Sequence, residues 1–142
     1  MSSCCNNKAK KEACPGCGQP AAEVKANTLL FQLRHPHNQQ LQSEHYFFCS
    51  NADCDIVYFA DNESYNLKHC RTAIGQKSHH ADRMLCYCFD ISESDFLAEI
   101  AQHGKSHSQA FISRQTKNKT CHCEIRNPSG KCCLKDFKAL AV

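Results

Sequence analysis

Between residues 14 and 75 the apolar positions fall into short runs rich in aromatic and branched side chains: TLLFQL at 28–33, HYFF at 45–48 and IVYF at 56–59. Runs of that length and composition, bounded by polar residues, read as strands. The segment is therefore expected to be a small β-rich module. From residue 92 the period changes. Ser92 and Asp95 stand at capping distance, and Phe96, Leu97, Ile100 and Ala101 then recur at helical spacing until Gly104 stops the run. A weaker helix is expected over 106–115, with Phe111 and Ile112 apolar. A last one should begin near Lys131, with Cys133, Leu134, Phe137 and Leu140 on a shared side. The expected fold class is α+β, a β-rich module followed by a helical one. Its divisions would be a polar, lysine-rich lead-in over 1–13, the β-rich module over 14–75, a polar linker over 76–84 after Gly75, and the helical module over 85–142. No internal repeat or low-complexity tract is visible.

A chain of 142 residues fits one ordinary domain or two very small ones, and very small modules bury too little apolar surface to fold without a staple. Sulfur is the obvious staple. Thirteen cysteines mark either a disulfide scaffold or a metal protein, and the odd count strains the first reading. The opening MSSCCNNKAKKEA holds no apolar signal region, and no stretch approaches the ~20 apolar residues of a membrane span, so membrane insertion is not expected and a cytoplasmic location is. In a reducing compartment dense cysteines point to metal rather than to disulfides. The net charge of +3 is spread along the chain apart from Lys8, Lys10 and Lys11, and no basic stripe with interleaved aromatics suggests a nucleic-acid partner. No Ser/His/Asp triad, paired acid site or phosphate-cradling glycine loop is present, so hydrolytic and phosphoryl-transfer chemistry has no candidate residues and no catalytic residue is assigned.

Two cysteine constellations carry the chemistry. The first is CPGC at 14–17 with CSNADC at 49–54, giving Cys14, Cys17, Cys49 and Cys54. Structural zinc takes four ligands at tetrahedral corners, and each short turn delivers two sulfurs to one edge. Pro15 and Gly16 suit the first turn, while Asn51 and Asp53 can bond their own backbone in the second. The competing reading is four ordinary buried cysteines in hairpins. With no ligand position left for water, zinc here would stabilise and not catalyse.

The second constellation is Cys86 and Cys88 in LCYCFDISESDF with Cys121, Cys123, Cys132 and Cys133 in CHCEIRNPSGKCC. A disulfide across a single residue cannot reach relaxed geometry. A 2Fe-2S cluster needs four thiolates, two per iron, and a Cys-x-Cys turn can cap one iron from a single loop. NPSG at 127–130 reads as a type I turn that brings Cys123 toward the start of the last helix, whose free N–H groups suit a negatively charged cluster. Spacing alone leaves a second Cys4 zinc site equally open.

These motifs, CYC at 86–88 before a helix, CEIRNPSGKCC at 123–133 and FFCSNADCDIVYF at 47–59, together resemble the amino-terminal domain of CopZ-type copper chaperones, which carry a 2Fe-2S cluster and a zinc ion. The helical part also looks like the cluster-binding fold of bacterioferritin-associated ferredoxin. By position, the resemblance implies zinc on Cys14, Cys17, Cys49 and Cys54. It implies a cluster on Cys86, Cys88, Cys123 and one of the Cys132/Cys133 pair. Cys133 is preferred because it shares a helical face with Phe137 and Leu140, with Cys132 about 100° away; Cys121 is a further substitute. The ferredoxin pattern ends in Cys-x2-Cys, whereas nine residues separate Cys123 from Cys133 here. The chaperones also carry a Gly-Met-x-Cys-x-x-Cys copper loop, which is absent from these 142 residues. The function so implied is a zinc- and 2Fe-2S-binding electron-transfer protein of copper handling, reducing Cu(II) to Cu(I), with a copper chaperone or copper-transporting ATPase as partner. The alternative is an iron or redox sensor, or a scaffold, whose cluster state controls partner binding.

Of the remaining thiols, the adjacent Cys4 and Cys5 suit soft Cu(I), although a cysteine pair in a polar tail is often incidental. Cys70 reads as buried or idle. His79 and His80 read as solvated linker residues, and His122 stands beside the proposed cluster ligands, where its charge would influence them.

Overall fold

A computed structural model describes residues 11–140; Cys4 and Cys5 lie outside the described residues. Strands β1 (Lys11–Ala13), β2 (Pro20–Lys25), β3 (His45–Phe48), β4 (Ile56–Ala60) and β5 (Glu63–Asn66) form one antiparallel sheet in chain order. The period-2 alternation of β3 sorts its side chains to two faces. Tyr46 and Phe48 enter one core with Val24, Leu29, Leu33, Tyr58 and Tyr65, while Phe47 points the other way and stacks on Phe59 with ring centroids 5.5 Å apart. A register shift between Ile56 and Tyr58 allows Val57 and Tyr58 to join the same core.

TLLFQL is not a strand. It belongs to helix α1 (Ala26–Gln32) with Leu33 as its C-cap. Thr28, Leu29, Gln32 and Leu33 are buried, whereas Leu30 and Phe31 are 53% and 39% exposed. Burial at i, i+1, i+4 and i+5 is a helical face. Two of those four positions are polar, which hid the period. The lead-in expected through residue 13 ends earlier, because Lys11–Ala13 pair with Ala22, Ala21 and Pro20 of β2. All three are exposed, so backbone hydrogen bonds and not burial make that strand.

The second half opens with a two-stranded hairpin, β6 (Met84–Cys86) and β7 (Ile91–Ser92), followed by α2 (Glu93–His103), α3 (His107–Lys117), α4 (Cys123–Arg126) and α5 (Leu134–Leu140). The expected capping box exists: Ser92 Oγ accepts the Asp95 N–H at 3.1 Å, and the Asp95 carboxylate accepts the Ser92 N–H at 3.2 Å. Gly104 ends α2 with φ +74°, the left-handed geometry glycine adopts without steric cost. Ser106 caps α3 through the Gln109 N–H. Phe96, Ile112, Leu85, Ile91 and Phe137 build the core, with Phe96 and Phe137 edge to face at 4.8 Å. Leu97 stays largely outside it. The last helix starts at Leu134, three residues later than expected, so Cys132 and Cys133 precede it.

Side chains of the first half complete backbone of the second. Thr28 Oγ1 donates to the Glu124 carbonyl, Gln32 Nε2 to the carbonyls of Ile125 (3.0 Å) and Arg126 (2.7 Å), and the Tyr58 hydroxyl to that of Pro128. The last carbonyls of a short helix have no donors of their own. These buried polar side chains supply them and seat α4, which begins at Cys123, against α1. Among the described residues, no helix is long and apolar enough to cross a membrane.

Candidate metal centres

The zinc ligands predicted from spacing meet at one end of the sheet. Cys14 and Cys17 lie in the β1–β2 turn, and Cys49 and Cys54 in the β3–β4 turn. Cys14 Sγ is 3.8 Å from Cys54 Sγ, Cys17 Sγ is 3.7 Å from Cys49 Sγ, and all four sulfurs lie within 4.8 Å of one another. A tetrahedron with metal–sulfur bonds of about 2.3 Å has sulfur–sulfur edges of about 3.8 Å. The tetrad therefore fits one zinc ion.

Local chemistry explains the turns. The Gly18 N–H closes the first onto the Cys14 carbonyl at 2.8 Å, and Gly16 leaves the space that a Cβ would fill against Ile56 (2.9 Å) and Cys54 Sγ (3.1 Å). In the second turn the Asp53 N–H bonds Asn51 Oδ1 at 3.0 Å, the self-bonding expected of these residues. Phe47, Phe59 and Ala21 pack against the thiols. As a thiol, Cys17 is lowered to about 6, first by the Gln19 backbone N–H and then by the Asn51 side chain, while burial pushes Cys49 up to about 12 and also raises Cys54. Metal must displace the protons those two hold.

The second constellation also assembles, in a different shape. Cys86 ends β6, Cys88 sits in the loop before β7, Cys123 starts α4 and Cys133 stands just before α5. Cys88 Sγ lies 3.8 Å from Cys123 Sγ, so the tight pair takes one sulfur from each segment and not both from Cys-x-Cys. The Cys88 thiol is lowered to about 7, mainly by the Cys123 thiol that donates to it; Cys133 is lowered to about 4 by donation from Cys123 and then Cys86. Cys86 and Cys123 are correspondingly raised, Cys86 by Cys133 first and Cys123 by Cys132 first. The thiols form one connected chain, Cys88 to Cys123 to Cys133 to Cys86, with Cys123 at its centre and Cys132 also against it. Among the described residues, no group of three ligand atoms other than the first tetrad lies within 4.8 Å of one another.

The expected outward orientation of Cys132 is not seen. Cys132 and Cys133 are both buried, because both precede α5 and a helical wheel does not apply to them. Cys132 meets the Cys123 thiol, and Cys133 meets both Cys123 and Cys86. Cys121 is half-buried, with its sulfur 3.9 Å from Thr116 Oγ1. NPSG forms its turn, with the Gly130 N–H on the Asn127 carbonyl at 2.8 Å. The His122 ring side is exposed, but its backbone N–H donates to Cys88 Sγ at 3.1 Å. Cys70 is buried and raised to about 11 by that burial. His79 is exposed and pairs with Asp53. Lys77 escaped sequence reasoning: it lies in the polar stretch expected as a linker, yet it is 6% exposed and donates to the carbonyls of Asn51 and Cys54. Nothing in QKSHH marks it, since its burial depends on the folded knuckle.

Residues 11–71 match a family model described as a CopZ-type zinc binding domain, a stretch that contains all four residues of the first tetrad. The chain is 28% identical over 120 residues to the copper chaperone CopZ of Archaeoglobus fulgidus, an alignment covering 84% of this chain and 57% of that protein. It thus spans little more than half the length of this curated relative. The fold is similar to the X-ray structure of the A. fulgidus CopZ N-terminal domain, with a TM-score of 0.76, 24% identity, and coverage of 91% of this chain and 97% of the other.

Proposed function

We propose that this chain is a zinc- and 2Fe-2S-binding electron-transfer protein of copper handling. Zinc on Cys14, Cys17, Cys49 and Cys54 holds the sheet, and a 2Fe-2S cluster on Cys86, Cys88, Cys123 and Cys133 carries the electron. The observation behind the cluster is the shape of the second thiol set. Cys88 and Cys123 lie 3.8 Å apart and Cys86 and Cys133 continue the set, yet among the described residues no three of these sulfurs gather as tightly as the first tetrad. A single zinc ion would gather four sulfurs at equal short edges, as in the first tetrad, whereas a centre two metal ions wide needs its four ligands spread over a longer span.

When bound, a 2Fe-2S cluster accepts and gives up one electron. The chain's own residues set the conditions. Cys86, Cys123 and Cys133 are buried among Leu85, Phe96 and Phe137, which exclude water from that side. Cys88 is half-buried next to exposed His122 and forms the edge from which an electron leaves. The His122 N–H on Cys88 Sγ stabilises negative charge there and favours the reduced state. The copper assignment comes from the name of the A. fulgidus relative. A cluster held by these residues would supply the one electron that takes Cu(II) to Cu(I), the form suited to a thiolate-bearing chaperone or a copper-transporting ATPase.

The test is to reduce anaerobically prepared protein and add Cu(II). The visible absorption of the oxidised cluster should return as Cu(I) appears, one for one, in a Cu(I)-specific chromogenic chelator. A cluster that disintegrates on oxidation without yielding Cu(I) would contradict electron transfer and favour the sensor reading.

A further inference from the structure

Three consecutive residues after Ile74 reach three different places. Gly75–Lys77 form a single 3₁₀ turn. The Gly75 N–H donates to the Tyr87 hydroxyl at 2.6 Å, and Tyr87 stands between Cys86 and Cys88. Gln76 Nε2 donates to Asn127 Oδ1 at 2.9 Å, and buried Asn127 closes α4 by giving its own N–H to the Cys123 carbonyl at 3.0 Å. Lys77 Nζ donates to the carbonyls of Asn51 (2.8 Å) and Cys54 (2.9 Å), inside the second zinc turn.

We propose that Gly75–Gln76–Lys77 is a bridge that couples the two metal centres, so that the metal held by the first tetrad sets the geometry of the second. The bridge rests on the second centre being the cluster proposed above. Two features make it stiff. A Cβ on Gly75 would meet the Met84 carbonyl oxygen at 2.2 Å and the Tyr87 hydroxyl at 2.8 Å, so the turn has no room to shift without moving the loop that carries Cys86 and Cys88. At the other end a buried ammonium has only carbonyl partners and needs counter-charge. Zinc with four thiolates carries net negative charge and supplies it. Metal on the tetrad thus anchors Lys77, and Lys77 anchors the turn on which Tyr87 and Asn127 lean. Hydrogen-bond partners just outside a metal's ligands commonly tune its affinity and redox behaviour.

The experiment uses the full chain loaded with zinc or, before cluster assembly, with cadmium, whose longer bonds to sulfur widen the first tetrad without adding visible absorption. Wild-type protein should give different visible circular dichroism and a different cluster midpoint potential in its zinc and cadmium forms. Cluster loading should also slow zinc release to a chromogenic chelator, on the order of tenfold. In Gln76→Met and, independently, Tyr87→Phe, both metal centres should form, the spectral difference should shrink, and the release ratio should approach one. Identical zinc and cadmium spectra in the wild type would overturn the bridge alone. So would cross-effects that survive in both variants, since coupling would then run through α1 and α4. A chain that takes up no iron and sulfide would overturn the functional reading and the bridge with it.

Discussion

Stripping metal from Cys14, Cys17, Cys49 and Cys54 should abolish cooperative unfolding of the five-stranded sheet. Half of the small core on that face is the ligands themselves: Cys14, Cys49 and Cys54 stand with only Ala21, Phe47 and Phe59. Binding of a structural zinc ion contributes about 10 kcal/mol or more in small domains, comparable to the entire stability of an ordinary one. Without it the two turns lose their common anchor, and buried Lys77 loses the negative charge of the four metal-bound thiolates. Far-UV circular dichroism during heating, with and without a strong chelator, checks this. Cys49→Ser should reproduce the chelated curve. Cys70→Ser, which alters a buried thiol outside the tetrad, should retain zinc and a cooperative transition. An unchanged melt after zinc has been lost would show that the aromatic core on the other face of the sheet suffices.

The proposed cluster ligands should differ in how far their loss is tolerated. Cys123→Ser and Cys133→Ser should each abolish the iron–sulfide chromophore, while Cys132→Ser should keep it. Cys123 meets Cys88, Cys132 and Cys133 and begins α4, whose terminal carbonyls are held by Thr28 and Gln32, so its position is fixed from both sides. Cys133 touches both Cys123 and Cys86, whereas Cys132 touches Cys123. Iron and acid-labile sulfide content after anaerobic purification reads the outcome. Equal loss from Cys132→Ser and Cys133→Ser would contradict the assignment of the fourth ligand.

What the sequence could reveal followed the range of the interactions involved. The zinc turns were legible because spacing, Gly16 and the Asn51 self-bond are all local. So were β3, β4 and the capping box of α2, which depend on near neighbours. Helix α1 was not, since Thr28 and Gln32 are buried to bond carbonyls nearly 100 residues away, and a polar residue turned inward for a distant partner breaks the apolar period. β1 and β5 carry few or no buried side chains and exist by pairing with their neighbours. A helical wheel cannot choose between Cys132 and Cys133, because both precede α5; the proposal of Cys133 rests on its contacts with Cys123 and Cys86. The three-way turn at Gly75–Lys77 lay beyond any pattern, because each contact is made with a different part of the fold.

In the proposed protein eight sulfurs sort into one inert centre and one that changes valence. Metal and acid-labile sulfide analysis of oxygen-protected chain tests it most directly. One zinc, two irons and two sulfides per chain are expected, with the irons lost in Cys123→Ser and the zinc retained. Two zinc ions per chain, with neither iron nor sulfide, would contradict it.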